Sequence, residues 1–162
     1  MTDEQSHPAP TTELPRRGSI LAIDWGERRI GLATSDETQT IAQPLGVLTR
    51  RTGRRFPLKR LRAYIDTYES AGLLLGLPLT ADGEEGPTAR RIRELAVLLH
   101  EKTGLPVCLW DERMTTARVL REMRRSGAAP TGTVSHEEID HLAATVLLQS
   151  YLDSRRAGEP QG

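Results

Sequence analysis

Apolar residues along this chain fall into two patterns. The short runs ILAIDW (20–25), IGLATS (30–35), 45–49, LLLGL (73–77) and PVCLW (106–110) are bounded by Gly, Pro or charged residues and are too short for helices. They predict five strands, with 26–29 as turn residues joining the first two into a hairpin. Longer stretches carry apolar residues at helical spacing. Phe56, Leu58, Leu61, Ile65 and Tyr68 mark a helix over 54–69, and Ile92, Leu95, Ala96 and Leu99 mark one over 88–102 with Gly104 as its stop. Thr115 or Thr116 can cap a helix running to Ser126 and Gly127. A last helix opens on a capping box, Ser135 with Glu138, and carries Ile139, Leu142, Ala143, Val146 and Leu147.

Three clustered strands followed by alternating helices and strands predict an α/β fold with a mixed five-stranded sheet. The opening strands are antiparallel, and the fourth and fifth, reached by helical crossovers, are parallel. The 162 residues and 17.9 kDa suit one domain, expected over 18–153. The flanking segments 1–17 and 154–162 are polar and are expected to be disordered tails.

Composition narrows the chemistry by exclusion. One cysteine, Cys108, rules out an intramolecular disulfide framework, and the four histidines have no zinc-site spacing among themselves or with it. The opening residues lack the order of a signal peptide, and no apolar run approaches the roughly 20 residues of a membrane helix. A cytoplasmic protein with no membrane partner is expected. Lys+Arg and Asp+Glu balance at 22 each, yet only Lys59 and Lys102 are lysines, so 20 of the basic residues are arginine. Arginine is the better fork for phosphate. A general preference for arginine at every basic position would give the same count, so position has to decide.

Ligands of open α/β sheets lie outside the carboxyl ends of the strands. Asp24 falls near the end of the first strand, Asp111 and Glu112 follow the fifth, and Asp140 sits in the first turns of the last helix. Each has an ordinary alternative: an ion pair with arginine for Asp24, a local pair with Arg113 for Asp111 or Glu112, and a helix-start preference for Asp140. Taken together they are acids from separate elements converging on one sheet edge. Hard oxygen donors without zinc spacing suit Mg²⁺ or Mn²⁺, and two such ions support phosphodiester cleavage.

The segments IDWGERRIGLATSD, LLLGLPLTADG, LWDERMTTARV and IDHLAATVLLQSYLD resemble, in order and spacing, the YqgF (RuvX-type) family of nucleases. The likeness covers nearly all of 20–152. It implies a ribonuclease H-like fold and kinship with Holliday junction resolvases. It also implies a role in 5′-end processing of pre-16S ribosomal RNA, with junction resolution in branched DNA as the second reading. By this resemblance Asp24, Asp111, Glu112 and Asp140 match the family's acids. Glu112 is favoured over Asp111 as the metal-facing member of the pair, joining Asp24 and Asp140 as metal ligands. One departure stands out: the stretch before the last helix, usually basic in the family, reads TGTVSHEEID here.

Arg50, Arg51, Arg54, Arg55, Lys59, Arg60 and Arg62 place seven basic residues in thirteen positions, and no acid falls between Glu37 and Asp66. A second group, Arg113, Arg118, Arg121, Arg124 and Arg125, meets only Glu122, with Arg118, Arg121 and Arg125 on one helical side. Arg50, Arg51, Arg54, Arg55, Arg113, Arg118, Arg121 and Arg125, with the Thr115 hydroxyl, are the expected nucleic-acid contacts. Aromatic residues at 4% are too few for a base-stacking platform, which favours recognition of backbone and shape. Precursor rRNA follows from the resemblance alone, and ribosomal particles are a further expected partner. Junction resolution needs two symmetric cuts, so both monomer and homodimer stay open. Two other classes compete: a non-catalytic nucleic-acid or ribosome-binding module, and a sugar-kinase or actin-like ATPase, which about 135 folded residues cannot build.

Overall fold

In the computed structural model, residues 13–50, 55–115 and 136–158 are described, without the side chains of 114, 136–138, 140 and 141. The short runs become β1 (Ser19–Asp24), β2 (Arg29–Ser35), β3 (Ala42–Thr49), β4 (Ser70–Leu77) and β5 (Val107–Asp111). The periodic stretches become α1 (Leu58–Tyr68), α2 (Pro87–Thr103) and α3 (His136–Ala157), and a single 3-10 turn, Glu112–Met114, follows β5. The expected helix from Thr115 or Thr116 to Ser126 and Gly127 lies outside the described residues, as does the Ser135/Glu138 capping pair.

One five-stranded sheet runs in the order β3-β2-β1-β4-β5. β1 pairs antiparallel with β2, and β2 with β3; β1 pairs parallel with β4, and β4 with β5. This is the mixed sheet the element order predicts. Because β3 reverses β2 and β2 reverses β1, strands β1, β3, β4 and β5 all end at the same edge.

Alternation along the strands divides the core into two layers. Leu21, Ile23, Leu73, Leu75 and Val107 face Leu61 and Ile65 of α1 and Ile92, Leu95 and Leu99 of α2. Ile20, Ala22, Ala33, Leu74 and Cys108 face Ala144, Leu147, Leu148, Tyr151 and Leu152 of α3. LLLGL reads as an unbroken apolar run because both of its faces are covered. Cys108 packs as a small hydrophobe; burial pushes its thiol up to about 11.

The boundaries have local causes. α1 begins at Leu58 rather than at 54, because Pro57 disfavours a helical conformation at Phe56 before it. It ends on Glu69 in the left-handed region, φ 48°, whose N–H reaches the Asp66 and Ile65 carbonyls. α2 starts on Pro87 and stops at left-handed Gly104. β3 starts at Ala42, earlier than the apolar run at 45–49 suggests, because it is an edge strand whose first residues are largely exposed.

Packing also reaches beyond 18 and 153. Leu14 is buried in the α3-side core, and α3 continues to Ala157. Arg155 donates to the carbonyls of Leu14 (2.8 Å) and Pro15 (3.1 Å) and to Gln39 Oε1 (2.9 Å). Gln39, buried, donates in turn to the carbonyls of Pro15 (2.7 Å) and Gly18 (3.0 Å). Among the described residues no helix is long and apolar enough to cross a membrane.

Candidate active site

Asp24 is the last residue of β1 and is fully buried. Ile20 and Ala22 face α3, so alternation turns Asp24 to the same side. Ile23 pairs with Leu75 on β4, so Asp24 and Gly76 stand one residue further along on neighbouring strands, and Gly76 pairs with Trp110 on β5. Trp110 meets the Tyr151 ring of α3 edge-on, centroids 5.3 Å apart.

Glu112 enters this row from beyond the end of β5. The chain turns at Asp111, whose carboxylate accepts from the Arg113 N–H at 2.9 Å and so caps the 3-10 turn. That turn carries Glu112 back over the sheet, where it is 1% exposed. A Cβ built on Gly76 would lie 2.3 Å from Glu112 Oε1 and 3.0 Å from Cγ and Cδ. The Glu112 carboxylate thus occupies the space where any larger residue at 76 would put its side chain. Within an otherwise apolar run, glycine leaves a slot beside Asp24, and Glu112 fills it.

Asp111 and Arg113 do something else. Arg113 donates from Nε and Nη2 to both carboxylate oxygens of Asp111, at 2.7 to 3.1 Å, and from Nη1 toward the Thr80 (3.4 Å) and Ala81 (3.3 Å) carbonyls. Donating to the Asp111 carboxylate raises the Arg113 pKa further. Arg113, expected as a nucleic-acid contact, therefore ties the β4–α2 loop to the turn that carries Glu112. Thr115, expected in the same role, turns its hydroxyl to the Glu112 carbonyl at 3.2 Å and closes the turn.

Asp140 lies on α3, and its side chain is outside the described set. The helix direction places its backbone. Gln149 accepts from the Ala42 N–H (2.8 Å) and donates to the Thr40 carbonyl (3.0 Å), and Arg155 holds Leu14 and Pro15, all at the edge where β1 begins. Residue 140, nine positions earlier than Gln149, lies about 13 Å of helix toward the edge where β1 ends. Among the described residues no three His, Cys, Asp or Glu side chains group as a metal site. Asp24 and Glu112 are two buried carboxylates at one edge, and hard oxygen donors of this kind fit Mg²⁺ or Mn²⁺.

The basic residues separate. Arg50 lies one residue past β3 with its guanidinium 4.3 Å from the centroid of the Trp25 ring, and Trp25 stacks in turn on Phe56, centroids 6.2 Å apart. Arg55 is exposed. Arg51, Arg54, Arg118, Arg121 and Arg125 lie outside the described residues. Two residues that shape this edge are not among the candidates above: Gly76, whose signal in the sequence is its place inside the apolar run LLLGL, and Trp25, whose signal is its place directly after Asp24.

Residues 18–154 match the family model RuvX, described as Holliday junction resolvase. Two curated relatives carry the name "Putative pre-16S rRNA nuclease". One, from Roseiflexus sp. (strain RS-1), is 38% identical over 139 residues, spanning 86% of this chain and 96% of the relative. The other, from Protochlamydia amoebophila (strain UWE25), is 38% identical over 147 residues, spanning 87% and 97%. Among solved structures, Thermus thermophilus RuvC in complex with a Holliday junction substrate is similar over 85% of this chain and 96% of that one, with 15% identity and a TM-score of 0.49. The matched segment takes in every element from β1 to β5 and α3 up to Ser154, and the chain belongs to the RuvX family of nucleases.

Proposed function

We propose that the protein is a divalent-metal-dependent nuclease acting in the cytoplasm on the 5′ end of precursor 16S rRNA. The observation that carries this reading is the slot at Gly76, which seats a buried glutamate beside a buried aspartate at the carboxyl edge of the sheet. Burying two carboxylates side by side is costly unless positive charge accompanies them. Asp24, Glu112 and Asp140 would hold Mg²⁺ or Mn²⁺, and the ions when bound would activate water and stabilise the leaving oxygen of a phosphodiester. Around them the chain's own residues set positions. The Asp111–Arg113 pair fixes the turn bearing Glu112, and α3 brings Asp140 to the edge. The names of the curated relatives support precursor rRNA, and with it ribosomal particles as the setting.

The description of the family model favours a second reading, cleavage of four-way DNA, which would call for a homodimer. The test uses purified full-length protein with Mn²⁺ on two substrates, precursor rRNA and a four-way DNA junction, alongside a sizing measurement. Cleavage of the RNA that disappears in Asp24→Asn is the expected result. Cleavage of the junction alone, by a dimer, would replace the rRNA reading with the resolvase one. Binding without turnover in any metal would make the protein a nucleic-acid-binding module.

A further inference from the structure

The described basic residues of 50–62 do not form a uniform patch. Arg60 donates to the Thr49 carbonyl at 3.1 Å, and Arg62 to the Lys102 carbonyl at the end of α2. Both serve the fold. Lys59 and Arg55 are exposed on or just before α1. Arg50 differs from all of these. Its backbone N–H donates to the Arg28 carbonyl at 2.9 Å and its Nε to the Glu27 carbonyl at 2.7 Å, so it leans on the β1–β2 turn. Its guanidinium lies over Trp25, which Phe56 supports from within the sheet's α1/α2 layer.

The location gives this stack its meaning. β3 runs parallel to β1, so Arg50 stands at the edge where Asp24 ends β1. Asp24 and Trp25 are consecutive, and alternation sends the carboxylate to the α3 side and the indole to the other. A strand of nucleic acid running along this edge from the acids toward β3 would pass Arg50. Long exposed side chains lose rotamer freedom when they bind, and a guanidinium already stacked and hydrogen-bonded loses less. The planar fork also suits phosphate oxygens better than an ammonium does.

We propose that Arg50 is a binding residue for a backbone phosphate flanking the one to be cut, and that Trp25 is a positioning residue acting through Arg50. This explains how a chain so poor in aromatics uses two at this edge: they seat an arginine instead of a base. The inference rests on the nucleic-acid reading above, and its test does not require cleavage. Full-length proteins, all carrying Asp24→Asn so that the probe stays whole, are titrated in Mg²⁺ across a range of KCl. The probes are a labelled single-stranded RNA and a labelled four-way DNA junction. Loss of one phosphate contact lowers the slope of log affinity against log salt by about 0.7 on a single strand and about 0.9 on duplex arms. Arg50→Gln is expected to show that drop. Trp25→Leu is expected to weaken binding in the Arg50 protein and to cost nothing further beside Arg50→Gln, while Trp25→Tyr restores binding. An unchanged slope in folded Arg50→Gln, with a salt-sensitive parent, overturns this inference alone. An equal loss from Trp25→Leu in both backgrounds overturns the positioning role. A parent that binds neither probe overturns the nucleic-acid reading and this inference with it.

Discussion

Gly76→Ala is a one-carbon change with an unequal effect on stability and activity. The new Cβ would sit 2.3 Å from Glu112 Oε1, so the carboxylate must retreat by about 1 Å to reach ordinary van der Waals contact. Glu112 is 1% exposed, so the retreat pushes into packed surroundings. Overpacking of this kind costs about 1–3 kcal/mol, offset by the roughly 0.5–1 kcal/mol that alanine gains over glycine inside a strand. The net loss in stability is therefore about 0–2.5 kcal/mol, within reach of a domain stable by about 5–15 kcal/mol. Misplacing a reacting group by about 1 Å costs on the order of 100-fold in rate. Gly72 provides the control, being four residues back on the same strand and face: its Cβ would meet Leu14 Cδ2 at 3.0 Å and no acid. Urea unfolding and Mn²⁺-dependent cleavage, run on both variants, should show similar stability losses, with cleavage falling about 100-fold in Gly76→Ala only. Folded Gly76→Ala cleaving at the parental rate would refute the idea that the Glu112 slot places a working carboxylate.

Two further predictions concern Arg113, beside the site, and Asp36, at the opposite edge of the sheet. Arg113→Ala should lower kcat for cleavage without changing the salt slope of RNA binding, and Arg113→Lys should not rescue it, since one ammonium cannot span the Asp111 carboxylate and the Thr80 and Ala81 carbonyls; a slope reduced by about 0.7 would make Arg113 a phosphate contact after all. Asp36 accepts from the N–H groups of Ile41 (2.9 Å) and Thr40 (2.8 Å) and from the Thr38 hydroxyl, and these bonds, that from Ile41 foremost, hold its pKa at about 2 against an ordinary 3.8. A depressed folded pKa stabilises fully above about pH 4 and is lost as pH falls through 2. The Tm gap between the parent and Asp36→Ala should accordingly narrow from pH 5 to pH 2, and a constant gap would refute the assignment.

The sheet was readable because a β-strand buried on both faces and a helix buried on one leave different apolar periods, as LLLGL and 88–102 do. That Asp24 and the Asp111–Glu112 pair stand at one edge was readable from chain order, since a parallel sheet gathers its strand ends at one edge. The division of labour within Asp111-Glu112-Arg113 was not. It depends on a 3-10 turn that begins after Asp111 and carries Glu112 back over the sheet, and a run of three charged residues carries no period to announce one. The break that Gly76 makes in LLLGL is visible, but its use is not, because its contribution is the room it leaves for a side chain 36 residues away. The arginines of 50–62 look alike in the sequence. Arg50, Arg60 and Arg62 differ by which carbonyl or ring lies within reach, and that is decided by where β3 ends and where Pro57 lets α1 begin.

The cover of the α3-side core is the last described element, and this orders events in time as well as space. Ile20, Ala22, Ala33, Leu74 and Cys108 are all synthesised before residue 109, whereas Leu147, Leu148, Tyr151 and Leu152 come some 40 residues later. At about 5–20 residues per second, the emerging sheet waits roughly 2–8 s with one oily face bare. The acid at position 140 arrives with that same helix. A half-made copy on the ribosome is consequently prone to stick to other chains, and it still lacks the third carboxylate proposed for the site.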